Sequence, residues 1–245
     1  MKILGLLTLC AVLSMVAFGQ TTPSKENVVS LAAVNSAIDL AKAALKAHGG
    51  EKLSGIKTLT LTGSVDVTAS GAPQAIPATF AMIFAGEKYR LDINNPFQPL
   101  SQAFDGVNTH STAPNGFELP PVNRIGFIML SKVGDTKFPI TVLPAASKKK
   151  SGFRITSPEG FYTDYFVDEK TGQLKGYESS YEVNGRVVTT SVAVDKCRLV
   201  DGVLVPEKFS QRFDLGQFTA YADFKAKDIL VNSAVSDEIF SLTRK

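Results

Sequence analysis

The stretch YEVNGRVVTTSVAVDKCRLVDGVLVPEKF, residues 181–209, decides the fold of this chain. It contains two dipeptides, Asn184-Gly185 and Asp201-Gly202, that are typical of type I′ hairpin turns because these residues tolerate positive φ angles. The runs on either side are rich in Val, Thr and Tyr, which favour strands. The stretch therefore predicts three antiparallel strands joined by two tight turns.

The same pattern continues on both sides of this stretch. Lys170-Thr171-Gly172 and Leu215-Gly216 are further turn signals, and they bound more segments of strand character. The sequence thus predicts a β-meander with strands at 161–168, 174–183, 186–200, 203–214 and 217–228.

The N-terminal half contains alternating segments that predict more strands of the same kind. Residues 58–67 place Leu59, Leu61, Val65 and Val67 on one face and mostly Thr, Ser and Asp on the other, as in a half-buried strand. Residues 76–85 and 89–93 alternate similarly, and shorter strands are expected around Asp105-Gly106.

Two helices are expected besides the strands. Over residues 28–47, a single apolar stripe is formed by Leu31, Val34, Ile38, Ala41 and Leu45. Prolines interrupt residues 114–152, but residues 122–133 form an apolar run that predicts a short helix set in long loops. Long loops inside a compact domain are often functional.

The N-terminus has the pattern of an export signal. Lys2 precedes a 16-residue uncharged run, and Ala17 and Gly19 form a small-residue cleavage site. We expect a cleaved signal at 1–19, a flexible tail at 20–27 and a single domain at 28–245, and hence a periplasmic protein. An uncleaved membrane anchor is the alternative, although the run is short for one.

Composition argues against several functional classes. Removal of Lys2 lowers the formal charge from +3 to +2, too weak and dispersed for nucleic-acid binding. His48, at a helix end that suits a cation, and His110 share no metal-ligand spacing, so we expect no metal. We also expect no cofactor and no enzymatic activity. Asp164 and Asp168 could form a carboxylate pair, but a solvated strand face explains them better.

Two further features have a functional and a structural interpretation. The lysine run Lys148, Lys149 and Lys150 could dock to anionic lipid or to a partner, or it could be a solvated loop. Cys197 could be a reactive thiol, and we favour a small apolar residue on a strand.

The predicted sheet has more apolar surface than the predicted helices can cover. Strands of 12–15 residues span ~40–50 Å, and ten strands form a sheet about as wide. A helix of ~19 residues covers roughly an eighth of such a face. The sheet must therefore curl on itself, use residues 122–133 as a lid, or accept a ligand. An ordinary filled core would also satisfy this pattern.

Several short blocks resemble the periplasmic lipoprotein-carrier superfamily, the LolA/LolB-like proteins. The blocks are VDEKTG (167–172), VDGVLVP (200–206), VNSAVSDEIF (231–240), EKYRLDI (87–93) and FDG (104–106). The resemblance implies a mostly β (α+β) fold: a strongly curved antiparallel sheet forming a half-open barrel of about 10–11 strands. An N-terminal helix and a short lid helix would lie on its concave side. Ala85-Gly86 stands where the carrier has a basic residue that gates its lid.

The resemblance also implies a function. We expect a monomeric hydrophobic-ligand carrier, a chaperone-like protein that shields a lipid or the acyl chain of a lipoprotein during outer-membrane lipoprotein sorting or lipid transport. The alternative is an envelope interaction protein of the same fold with a filled core, a protein partner and no ligand. The residues expected to line the cavity are Leu59, Leu61, Phe80, Met82, Phe84, Leu91, Phe127 and Met129.

Overall fold

The computed structural model describes residues 31–69, 74–97, 99–112, 119, 121–144, 151–183, 186–214 and 219–241. The predicted signal (1–19) and tail (20–27), the lysine run at 148–150, and the turn dipeptides at 184–185 and 215–216 lie outside the described residues.

The described part of the chain contains α-helices, 3₁₀ helices and twelve strands. The α-helices are α1 (Leu31–Ala47) and α2 (Glu51–Ser54), and two 3₁₀ helices span Phe127–Lys132 and Asp237–Phe240. The strands are β1 (Thr58–Ala69), β2 (Ile76–Ala85), β3 (Lys88–Asn94), β4 (Leu100–Phe104), β5 (Thr109–Ser111), β6 (Ile140–Thr141), β7 (Gly152–Thr156), β8 (Tyr162–Val167), β9 (Leu174–Val183), β10 (Arg186–Val200), β11 (Val203–Asp214) and β12 (Thr219–Val231).

All twelve strands form one antiparallel sheet in the order β5-β4-β3-β2-β1-β12-β11-β10-β9-β8-β7-β6. The first and last strands pair at its centre, and the sheet does not close into a barrel. Its edges are β5 and β6, of three and two residues, which leaves little unpaired backbone for other chains to join. The predicted fold, an open curved antiparallel sheet with an N-terminal helix, is confirmed; the twelve strands include the short β6.

The C-terminal hairpins follow the turn chemistry of the sequence. Strands β9, β10 and β11 begin and end where the sequence predicts, and β12 is displaced by two to three residues. Asp201 has φ 50° and Gly202 has φ 81°, as a type I′ turn requires at both central positions. The turn sets the register in which Val200 pairs with Val203.

Helix α1 packs against β6, β7 and the lid through a face that differs from the predicted stripe. The fully buried positions are Ala37, Ala41 and Ala44, whereas Val34, Ile38 and Leu45 are only partly buried. The predicted stripe is confirmed at Ala41, whereas the most buried positions beside it are Ala37 and Ala44 and not Val34, Ile38 and Leu45. Small alanine side chains let the helix approach the sheet closely, and the longer side chains flank this contact.

The predicted helix at 122–133 is shorter than expected. Residues 122–126 form turns, and only Phe127–Lys132 is helical, as a 3₁₀ helix that we call the lid helix. We call residues 122–132 together the lid region. Gly126 ends the non-helical part with φ 80°, a conformation that L side chains rarely adopt. This glycine therefore separates the two halves of the apolar run.

The C-terminal block fastens the chain to the outer face of β3. Phe240 is buried there, Arg90 donates to the carbonyl oxygen of Ile239 at 2.7 Å, and Lys88 lies 2.9 Å from Asp237. Lys88 and Arg90 alternate along β3 with the inward-facing Tyr89 and Leu91, so this contact lies on the face opposite the main core.

One hydrophobic cluster joins side chains from both halves of the sheet, α1 and the lid. It lies on the inner face, which the lid region covers. No helix among the described residues is both long and apolar enough to cross a membrane.

Candidate functional site

An apolar cavity of about 60 Å³ lies between the inner face of the sheet and the lid region. The lining combines both halves of the sheet with residues 122–128. Its members are Leu59, Leu61, Met82, Phe84, Val122, Ile125, Gly126, Phe127, Ile128, Tyr177, Thr190, Val205, Pro206, Phe209 and Gln211.

The N-terminal wall of this cavity is apolar throughout. Leu59 pairs with Phe84 and Leu61 with Met82 across β1 and β2, so the four side chains form one continuous surface. The alternation of these strands directs them to the inner face, as the sequence predicts. Phe127 of the lid helix completes this side of the cavity.

Three residues expected at the cavity lie in the surrounding core instead. Phe80 packs edge-to-face against Phe224, with ring centroids 5.0 Å apart, and Phe224 in turn stacks on Phe209. Leu91 and Met129 are buried in the same cluster without lining the cavity.

The C-terminal wall contributes residues that sequence reasoning missed. Tyr177 comes from β9, Thr190 from β10, and Val205, Pro206, Phe209 and Gln211 from β11. The hairpin turn at Asp201-Gly202 could have related β10 to β11 in advance, because it sets their register. The sequence did not show which face of these strands is the inner one.

Hydroxyl groups of β8 hold the lid backbone at Gly126. The Gly126 N–H donates to Thr163 Oγ1 at 3.0 Å, and Tyr165 donates to the Gly126 carbonyl oxygen at 2.8 Å. Thr163 is in turn hydrogen-bonded to Ser179 at 2.9 Å. A Cβ on Gly126 would lie 3.2 Å from the Tyr177 ring, so glycine allows this close approach.

Burial changes the pKa of two tyrosines near Gly126. It raises the pKa of the Tyr165 hydroxyl and also the pKa of Tyr177, whose hydroxyl is hydrogen-bonded to the Phe127 backbone. Both hydroxyls therefore stay protonated throughout the physiological range. They act as neutral hydrogen-bonding groups towards the lid.

The lid region also contacts the N-terminal half of the sheet. Asn123 donates to the Glu87 carbonyl oxygen at 2.7 Å in the turn between β2 and β3. The Arg124 guanidinium lies 5.3 Å from the Phe104 ring centroid and 5.9 Å from that of Phe161. The lid region therefore bridges the two arms of the open sheet and covers the cavity between them.

His48 links the end of α1 to the C-terminal wall and to the lid. Its Nδ1 donates to the Leu204 carbonyl oxygen at 2.6 Å, and its Nε2 accepts from the Leu174 N–H at 3.0 Å. The ring meets Phe127 edge-on, with centroids 5.7 Å apart. This pattern requires the neutral ring, and burial lowers its pKa, so the expectation of a cationic helix end was wrong.

The candidates for catalysis or thiol reactivity, Asp164, Asp168 and Cys197, have structural roles instead. Asp164 is buried and receives two hydrogen bonds from Arg154, at 2.6 and 2.8 Å, so the interpretation as a solvated face was wrong for this residue. Asp168 instead accepts hydrogen bonds from the turn at Lys170 and Thr171. Burial raises the pKa of Cys197 to about 11, which disfavours the reactive thiolate.

Among the described residues, no group of three or more His, Cys, Asp or Glu could hold a metal ion. His110 lies 3.3 Å from Asp105 in the turn between β4 and β5, and it is partly exposed.

A larger depression of about 790 Å³ lies along β8, β9 and β10 and includes outward-facing side chains. Gly176 pairs there with Phe166 and Ala193, and its missing side chain deepens the surface. Charged groups surround it, and two of them, Lys175 and Asp168, form an ion pair of 3.0 Å. The depression is open to solvent, so we place the candidate site in the apolar cavity.

No protein-family model matches the sequence, and no curated protein does. Three solved structures are similar in fold. A DUF1329 family protein from Desulfovibrio piger has 9% identity and a TM-score of 0.49, with 85% of this chain and 97% of that chain covered. A LolA superfamily protein from Nitrosomonas europaea has 13% identity and a TM-score of 0.49, and the match covers 81% of this chain and 97% of that chain. A proposed outer membrane lipoprotein-sorting protein domain from Vibrio parahaemolyticus has 6% identity and a TM-score of 0.47, and the match covers 84% of this chain and 97% of that chain.

Proposed function

We propose that this protein is a carrier for hydrophobic ligands, and that it binds the acyl chain of a lipid or lipoprotein beneath its lid. The observation that carries the proposal is the apolar cavity between β1, β2 and the lid helix. Each buried methylene contributes ~0.8 kcal/mol, so a chain of ten methylenes would supply ~8 kcal/mol without directional chemistry.

The lid must move for such a ligand to enter. Ligand sites typically enclose about 300–1,000 Å³, and the closed cavity encloses about 60 Å³. The lid helix is one short 3₁₀ segment, and its N-terminal end is held by the hydroxyls of Thr163 and Tyr165. Loss of these bonds and displacement of Phe127 would join the cavity to the open side of the sheet.

The proposed setting is the periplasm, with a role in outer-membrane lipoprotein sorting or lipid transport. The charge and apolar pattern of residues 1–19 supports export by a cleaved signal, and the blocks at 167–172, 200–206 and 231–240 support the carrier resemblance. We propose that the mature protein acts as a monomer. It would receive its ligand from one envelope component and deliver it to another.

The test is uptake by the protein purified without detergent. Native mass spectrometry should show bound lipid, and a fluorescent fatty acyl probe should bind with one probe per chain. Val122→Phe places a larger side chain at the cavity and should reduce uptake. Val187→Phe makes the same change on an exposed side chain of β10 and should leave uptake unchanged.

Absence of any lipid mass together with no probe uptake would refute the carrier function. Equal uptake by the Val122→Phe variant and the wild type would place the ligand elsewhere. Circular dichroism of both variants separates loss of binding from loss of folding.

The small closed volume also favours a second function, that of an envelope interaction protein with a filled core. Phe97 and Val107, which are 80% and 81% exposed near β4, would be its contact residues. This function predicts that native mass spectrometry shows the protein without bound lipid, that the probe is not taken up, and that a stable protein partner exists. Val107→Asp should then release that partner, and an unchanged complex would argue against this surface.

A further inference from the structure

The two walls of the cavity differ in chemistry. The wall formed by β1 and β2 presents hydrocarbon side chains, among them Leu59, Leu61 and Met82. The wall formed by β10 and β11 contributes two polar side chains, Thr190 and Gln211, to the same lining. Buried polar groups require hydrogen-bond partners, so an amide and a hydroxyl in an apolar cavity need an explanation.

Thr190 forms its hydrogen bonds within the protein, whereas only the nitrogen of the Gln211 amide is bonded to another residue. The Gln211 amide nitrogen donates to Thr190 Oγ1 at 2.8 Å, and Thr190 donates to the Arg212 carbonyl oxygen at 3.1 Å. A glutamine amide can donate twice and accept at its oxygen. No hydrogen bond within the described residues engages the Gln211 oxygen, and this oxygen is not among the fully buried polar atoms that lack a partner, so water or a ligand can reach it.

The charge of the lining restricts what Gln211 can bind. No Lys, Arg, His, Asp or Glu side chain lines the cavity. A carboxylate placed there would lose its hydration without gaining a cation, which is unfavourable in an apolar environment. A neutral hydroxyl, ester or amide would need only the hydrogen bonds that Gln211 offers.

We infer that Gln211 determines specificity by binding a neutral polar group of the ligand, and that the site selects neutral long-chain amphiphiles over free fatty acids. The inference rests on the proposed carrier function. The chain would lie along Leu59, Leu61 and Met82, and the polar group would accept from or donate to the Gln211 amide.

Competition against a bound fluorescent acyl probe at pH 8 tests the inference, with palmitamide, methyl palmitate, palmitate and heptadecane as competitors. For the wild type, palmitamide should bind more tightly than both palmitate and heptadecane. Gln211→Met keeps the side-chain volume and removes the amide. It should weaken palmitamide binding by about five- to tenfold, the effect of one neutral hydrogen bond, and leave heptadecane binding unchanged.

Gln102→Met is the matched control. Gln102 is also a buried glutamine, but it bonds Tyr89 and the Leu119 backbone and does not line the cavity. This variant should keep the wild-type order of ligands. If Gln211→Met does not fold, the side-chain amide resonance of Gln211 in the wild type should shift with palmitamide and not with heptadecane.

The outcomes separate this inference from the carrier function. Failure of every competitor and of the probe to bind would refute the carrier function itself. Equal binding of palmitamide and heptadecane by the wild type, or tighter binding of palmitate than of palmitamide, would overturn the role of Gln211 while the carrier function stands.

Discussion

Removal of the Tyr165 hydroxyl should loosen the lid and tighten ligand binding. In the closed state this hydroxyl is the donor to the Gly126 carbonyl oxygen, at 2.8 Å. Tyr165→Phe leaves that buried acceptor unpaired, which costs about 1–3 kcal/mol, and only when the lid is closed. The ratio of open to closed lid should therefore rise about 5- to 150-fold. Where the closed state dominates, the apparent Kd falls by the same factor.

The assay is titration of Tyr165→Phe with the fluorescent acyl probe, beside urea unfolding of the same variant. Tyr89→Phe is the matched control, because it also removes a buried tyrosine hydroxyl. That hydroxyl accepts a hydrogen bond of 2.7 Å from Gln102, which is a residue of β4 outside the lid region. Both variants should lose stability, and only Tyr165→Phe should bind the probe at least fivefold more tightly, the lower end of that range. Unchanged or weaker binding by Tyr165→Phe, or equal tightening by Tyr89→Phe, would refute the gating role of the lid.

Three further predictions concern the frame of the molecule. Burial lowers the pKa of His48, so the unfolded chain binds the proton more readily; the free energy of unfolding should fall as the pH drops below about 6.5, and His48→Gln should flatten this dependence in urea titrations at pH 7.5 and 5.0. An unchanged slope would show that other groups cause it. Phe240→Ala should lower the free energy of unfolding by about 3 kcal/mol, whereas Phe97→Ala, at an exposed position, should change it little. Equal effects would show that packing of Phe240 against β3 does not stabilise the fold. The Cys197 thiol, with a pKa raised to about 11, should react slowly with a maleimide at pH 8 and rapidly in denaturant, and rapid labelling of the native protein would contradict its burial.

The parts of the fold that local chemistry determines could be predicted from the sequence. Strands β10 and β11 have the predicted bounds because Asp201-Gly202 imposes its turn without help from the rest of the chain. Leu59, Leu61, Met82 and Phe84 lie together on the inner face, because alternation along a strand assigns side chains to faces.

The parts that depend on distant partners could not be predicted. Phe80 faces inward as expected, but the Phe224 ring occupies the space beside it, and the two residues are far apart in sequence. Thr190 and Gln211 escaped notice because polar residues on an inner face interrupt the alternation that identifies that face. The sequence showed His48 only as a helix end that suits a cation, since its partners Leu174 and Leu204 lie on strands more than a hundred residues away.

The most direct test of the account is whether a bound acyl chain touches Met82, which lines the cavity. Methionine labelled with ¹³C at its methyl group would give a Met82 signal in the complex with a long-chain acyl ligand. The account predicts nuclear Overhauser effects between the chain methylenes of the ligand and the Met82 methyl group. A ligand that binds at one per chain without any such contact would contradict the proposal that this cavity is the binding site.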